Sequence, residues 1–286
     1  MKSKCKVFCI FFLVLFFTNV FLSLFYYLKY IKEEYYLKGI VEAVTYDRQT
    51  DRRKIEAIVN WIYKHNKIVS KKSHCPAYNL TCWEWENPLW KILKAPSEVI
   101  LKIGGHCGNL ARLTVNIFHF MGYKAYRWHL WNSDRNMKKW KKEGGVGNDP
   151  YSHAVVEVFI DKTKSFIVDP TFNVIYPYSM SYIKQHPDII WKFVPKNYPW
   201  LYNYENPRGV RWHILGGKKI GDKIYNILCR IFGKNKVDNF HYPYIFENPY
   251  LFLFIFHFVI SLILLLILIF IFYKFIFYKN KKYETD

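Results

Sequence analysis

A thiol, an imidazole and a carboxylate can together open an amide. The thiol attacks the carbonyl carbon once the imidazole has taken its proton, and the carboxylate orients the imidazole and supports its charge. The chain carries all three groups in settings that suit those tasks. Cys107 stands in GGHCGNLARLTVNIFHFMG, residues 104–122, between a glycine pair and an apolar run. His153 and Asp169 lie toward the two ends of SHAVVEVFIDKTKSFIVDPTFN, residues 152–173. Taken singly, each has a plainer reading: a lone cysteine is commonly core, a histidine at a strand start a satisfied surface group, and an aspartate before Pro170 a turn residue. Their combination, in the order Cys, His, Asp, points to thiol catalysis with Cys107 as nucleophile, His153 as base and Asp169 as orienting carboxylate.

Regular elements must bring these residues together. Leu110, Leu113, Ile117 and Met121 recur as one stripe, and Ala111, Val115 and Phe118 make the neighbouring faces apolar, which predicts a largely buried helix closed by Gly122. Cys107 then falls at or just before the first turn, where unpaired N–H groups and the positive end of the helix dipole favour a thiolate. Gly104 and Gly105 would let a substrate backbone approach closely. Upstream, Thr50 or Asp51 caps an amphipathic helix with Ile55, Ile58, Val59 and Ile62 on its apolar face.

Downstream, YKAYRWHLW is predicted as a strand, residues 132–150 as a charged loop, and residues 152–169 as two strands joined by a polar turn. Ala154, Val156, Val158 and Ile160 share one face of the first strand, and Phe166 and Val168 the matching face of the second; His153 and Asp169 take the opposite faces. An odd-length loop keeps those two on one side of the sheet, whereas a two-residue loop separates them. A tight loop centred on Asp161 would set them directly across from each other.

These segments resemble a known family. GGHCGNLA is similar to the cysteine motif of the transglutaminase-like superfamily, in which a Cys opens a helix and a small residue, here Ala111, follows four positions on. SHAVVEVFIDKTKSFIVDPT resembles its histidine and aspartate motifs, and AIVNWIY resembles the helix that precedes the cysteine. The resemblance covers about residues 50–175. It implies a papain-like α+β fold, with the Cys107 helix packed on an antiparallel sheet, and a triad of Cys107 as nucleophile, His153 as general base and then acid, and Asp169 orienting His153. It implies no cofactor and no metal, and a protein, peptide or other amide as substrate.

Val155 departs from the aromatic residue the family often has there. No side chain is assigned to support the oxyanion beside the Cys107 N–H; Trp83, Trp85 and Trp90 lie upstream unsorted. Because the family includes hydrolases, crosslinking enzymes and silent members, the expected activity is acyl transfer from Cys107 to water or an amine. The alternative is a catalytically silent binding or scaffold protein. A metal-dependent hydrolase with the same three residues as ligands is a third reading.

Residues 7–28 and 251–273 are apolar runs long enough to cross a bilayer as helices. The first is longer than a signal's apolar core and lacks a small-residue cleavage site, so it is expected to remain as an anchor. Lys2, Lys4 and Lys6 precede it, and Lys279, Lys281 and Lys282 follow the second, which places both termini in the cytoplasm and the region between on the exocytoplasmic side. The expected organisation is therefore 1–30 cytoplasmic start and anchor, 31–179 catalytic domain, 180–249 an aromatic, proline-rich extension, 250–278 the second span, and 279–286 a cytoplasmic tail. The extension holds a basic amphipathic stretch with Ile220, Ile224, Ile227, Leu228 and Ile231 at helical spacing, suited either to a lipid surface or to packing on the domain.

In an oxidising compartment Cys75 and Cys82 would form a local disulfide; with His74 they could instead hold a metal, though not with zinc-module spacing. Asn79 heads an N-glycosylation sequon, NLT. The chain carries a net charge of +20, but its basic residues are scattered and no nucleic-acid-binding fingerprint accompanies them, so the expected partner is the membrane and not nucleic acid.

Overall fold

The computed structural model describes residues 2–66, 95, 97, 107–132, 152–194, 202–210 and 217–283. The expectations placed on His74, Cys75, Cys82, Asn79, Trp83, Trp85, Trp90, Gly104 and Gly105 lie outside these residues. Two units divide the chain: residues 1–33 with 248–286, and residues 34–247.

Helix α1 (Lys2–Thr45) changes character along its length. Its first part is apolar all round and belongs to the terminal unit, with α7 (Pro249–Tyr283). Both helices are long and apolar enough to cross a membrane. Their few polar side chains find partners within this unit: Asn19 Oδ1 accepts from His257 Nδ1 at 2.9 Å, and Ser23 Oγ donates to the Phe254 carbonyl at 3.4 Å. In hydrocarbon such groups need satisfaction from protein, because no water replaces it.

In the central unit, the last turns of α1 set Leu37, Ile40, Val41 and Val44 at helical spacing against the core. Helix α2 (Asp51–His65) starts where the Thr50 side chain accepts from the Arg53 N–H, and buries Ile55, Ile58, Val59 and Ile62. Helix α3 (Cys107–Phe120) is buried on most of its circumference. It ends at Gly122, whose φ of +83° suits glycine. The Tyr123 N–H there returns to the Phe118 carbonyl and the Gly122 N–H to His119, so both orphan carbonyls are met.

The sheet has strands β1 (Lys124–Asn132), β2 (Ser152–Phe159), β3 (Ser165–Asp169), β4 (Val174–Tyr176) and β5 (Tyr202–Arg208), in the order β4-β3-β2-β1-β5, every neighbouring pair antiparallel. Ala125, Ala154, Val156, Val158, Phe166 and Val168 pack with α2 and α3 in one core. The other face is covered as well. Helix α4 (Met180–Gln185) and the 3-10 turn Pro187–Lys192 bring Met180, Ile183 and Ile190 onto Val155, Ile167 and Tyr176. The molecule thus has an α+β architecture built on an antiparallel sheet, with an apolar helix toward each terminus.

Buried among this second layer, Glu157 accepts from Trp128 Nε1 at 2.8 Å, Ser165 Oγ at 2.8 Å and the Met180 N–H at 3.0 Å. One carboxylate so joins β1, β2, β3 and the start of α4. Residues beyond 180 also contribute β5 beside β1, and then α5 (Gly217–Phe232) and the short α6 (Lys234–Asp238). Gly209 follows β5, and a Cβ there would run into the Phe240 carbonyl and the His241 ring, so only glycine allows this crossing.

Candidate active site

Each side chain of the candidate site sits at the end of an element. Cys107 is the first residue of α3 and keeps part of its surface exposed. Its sulfur is hydrogen-bonded to the His153 imidazole and to the backbone amide of Ala154. His153, near the start of β2, is 2 % exposed, and its Nε2 is 2.7 Å from Asp169 Oδ2. With Nε2 so engaged, Nδ1 is the ring nitrogen left to meet the thiol.

Asp169 is the last residue of β3 and is fully buried. Its second oxygen, Oδ1, accepts from the Thr171 N–H at 3.0 Å, so the turn after Pro170 holds the carboxylate from behind. Asn173 takes the left-handed φ of +55° that lets this turn close into β4. The ring of Phe172 lies 5.5 Å from that of His153 and helps fix the imidazole.

The hairpin has a five-residue connection, 160–164, between the paired Phe159 and Ser165. An odd connection leaves His153 and Asp169 on one side of the sheet. Its centre is Lys162 rather than Asp161, so the two are diagonal neighbours instead of directly opposed. Asp161 explains the shift. Its carboxylate accepts from the Thr163 N–H, the Thr163 hydroxyl and the Lys164 N–H at 2.7 to 2.8 Å, which makes it the first residue of the turn and not its apex. Histidine spans the diagonal easily.

The electrostatics favour a charged pair. Burial pushes the Cys107 thiol up, but the His153 hydrogen bond and charge and the Ala154 amide outweigh it, and the thiol ends below its ordinary value. Burial pushes His153 down, whereas the Asp169 charge and hydrogen bond, and then Cys107, carry it up to about 10. Cys107 and His153 each stabilise the charged form of the other, and Asp169 supplies the larger part of the upward shift on His153. Both shifts act in the direction that favours the thiolate–imidazolium form of the pair. The thiolate is the form that attacks carbonyls, and the imidazolium carries a proton a leaving amine needs.

Among the described residues, no group of three or more His, Cys, Asp or Glu is disposed to hold a metal ion. Three contributors were not read from the sequence: the Ala154 amide, the Thr171 amide and the Phe172 ring. A signal existed for the second, since Asp-Pro-Thr is an Asx-turn pattern.

No family model and no curated protein matches the chain. Among solved structures, one described as the crystal structure of a TGase is similar over 50% of this chain and 32% of its own, at 19% identity and a TM-score of 0.35. That likeness covers about a third of the TGase chain and is too slight to carry an argument about the site.

Proposed function

We propose that the protein is a membrane-anchored, transglutaminase-like thiol enzyme that forms an acyl intermediate on Cys107 and passes the acyl group to water or an amine. The observation that carries this reading is the chain of contacts from the Cys107 sulfur through the His153 imidazole to the buried Asp169 carboxylate. The thiolate attacks an amide carbonyl. The backbone N–H groups of the first turn of α3 face the developing oxyanion. Imidazolium His153 gives its proton to the departing amine, which leaves a thioester on Cys107. Neutral His153 then takes a proton from the incoming water or amine, which attacks the thioester, and the thiolate departs to restore the ion pair. Asp169 keeps Nε2 protonated and Nδ1 facing sulfur throughout.

The two apolar helices support anchoring, and the lysines outside them support cytoplasmic termini with the site on the far side. The test is turnover of peptide and amide substrates by the full chain in detergent, with and without an added primary amine. Wild type is expected to release amine from substrate and to incorporate the added one, and Cys107→Ala to do neither while keeping its fold. Equal release by Cys107→Ala would overturn the reading.

A further inference from the structure

Helix α5 shows three kinds of surface along its length. Its inner face is fixed to the central unit: Tyr225 is buried and donates its hydroxyl to Asp238 at 2.8 Å, the Arg208 guanidinium lies 3.8 Å from the Tyr225 ring centre, and Leu228 and Cys229 pack with Val210 and Val237. Beside that face runs a second apolar stripe that stays largely exposed. Ile220, Ile227 and Ile231 share it by the helical period, and they are 49%, 55% and 65% exposed. The inner face is already occupied, so these isoleucines are not the core-facing side of a misread helix. Along the outer border of the stripe stand Lys223 and Arg230, both exposed.

An apolar stripe bordered by cations, on a helix held in place from behind, fits one environment closely. The isoleucines match the acyl boundary of a bilayer, and the cations match phosphate at headgroup level. Residues 233–248 are all that separates α5 from α7, one of the two helices apolar enough to cross a membrane. We propose that α5 lies on an anionic lipid surface, with Ile220, Ile227 and Ile231 at the headgroup–acyl boundary and Lys223 and Arg230 against lipid phosphates. This rests on the membrane anchoring proposed above and is independent of the thiol chemistry.

The test places a benzophenone amino acid at Ile227 in the full chain, reconstituted in nanodiscs of phosphatidylcholine alone or with phosphatidylglycerol. After irradiation, the peptide containing position 227 is expected to carry a lipid adduct. The yield should be about fivefold or more higher in anionic discs, since each basic residue near an anionic surface is worth about that factor. The pair Lys223→Glu and Arg230→Glu should remove the excess. Absence of a lipid adduct, a crosslink to protein in its place, or equal yields in the two disc types would overturn the proposal. Co-elution of the chain with disc lipid is scored separately. A chain that co-elutes but gives no adduct contradicts the α5 surface alone, whereas one that does not co-elute contradicts the anchoring as well.

Discussion

Replacing Asp169 by Asn keeps the shape of the carboxylate and removes its charge. In the native site the carboxylate and the imidazolium of His153 touch at 2.7 Å. Their charge centres are then on the order of 4 Å apart, worth ~4 kcal/mol at an effective dielectric of about 20. At roughly 1.4 kcal/mol per unit this is about three pKa units. Losing it returns His153 from about 10 to near its ordinary value. Direct repulsion between Asp169 and the thiolate is relieved at the same time, but it is the weakest influence on Cys107 and offsets little. The equilibrium between the ion pair and the neutral pair should shift toward the neutral pair by up to about a thousandfold. A thiolate of higher pKa is intrinsically more nucleophilic, with a Brønsted coefficient of about 0.4–0.5, so the net loss in reactivity is at most about 30- to 60-fold. The assay is alkylation by iodoacetamide, followed at the Cys107 peptide by mass spectrometry across pH. The Asp169→Asn profile should rise at distinctly higher pH than the wild-type profile, because the thiol loses the imidazolium that lowers it. Superimposable profiles would refute the inference that Asp169 holds the imidazolium.

Three further outcomes follow from the structure. Substrate turnover should be bell-shaped in pH: it rises through the lowered Cys107 value as the thiolate forms, and falls through about 10 as His153 loses the proton it must donate, so an alkaline limb near the ordinary histidine value would contradict the ion pair. Glu157→Ala leaves the Trp128, Ser165 and Met180 donors without their acceptor, which at about 1–3 kcal/mol each should cost at least about 3 kcal/mol of stability in denaturant unfolding, and a loss below about 1 kcal/mol would show that water takes the carboxylate's place. Gly122→Ala meets no atom within 4 Å but forces a side chain into a positive φ, so it should destabilise by roughly 1–2 kcal/mol with no change in Cys107 alkylation.

Much of the fold was legible where one period dominates. The stripe through Leu110, Leu113 and Ile117 and the cap at Thr50 belong to helices because nothing local competes with them. The alternation of Ala154, Val156 and Val158 marks a strand face in the same way. Other features were hidden by tertiary context. Leu37, Ile40, Val41 and Val44 continue α1 past its apolar run, yet beside so hydrophobic a neighbour their amphipathic spacing is easily passed over. Strand β5 reads YNYENPR, polar and ending near a proline, and it is a strand because β1 offers it an edge. Glu157 looks like a solvent-facing residue until α4 folds over it and supplies a donor.

The candidate site was legible in its residue types and in the need for an odd hairpin loop if His153 and Asp169 are to share one side, which follows from the period of two. Its centre was not, because the carboxylate of Asp161 decides where the turn begins, and that is a matter of side-chain hydrogen bonding rather than pattern. Nor could sequence say that the Ala154 amide would meet the sulfur, since that contact joins the start of α3 to β2 across the core.

The most direct measurement is the mass of the full chain after brief reaction with an activated acyl amide or peptide ester, followed by mapping of the modified peptide. The expected result is a single added acyl group on the peptide containing Cys107, lost on treatment with hydroxylamine, absent in Cys107→Ser and strongly reduced in His153→Ala. A folded wild-type chain that gains no acyl group at mildly alkaline pH, or that is acylated equally when Cys107 is replaced, would contradict the assignment of Cys107 as the nucleophile.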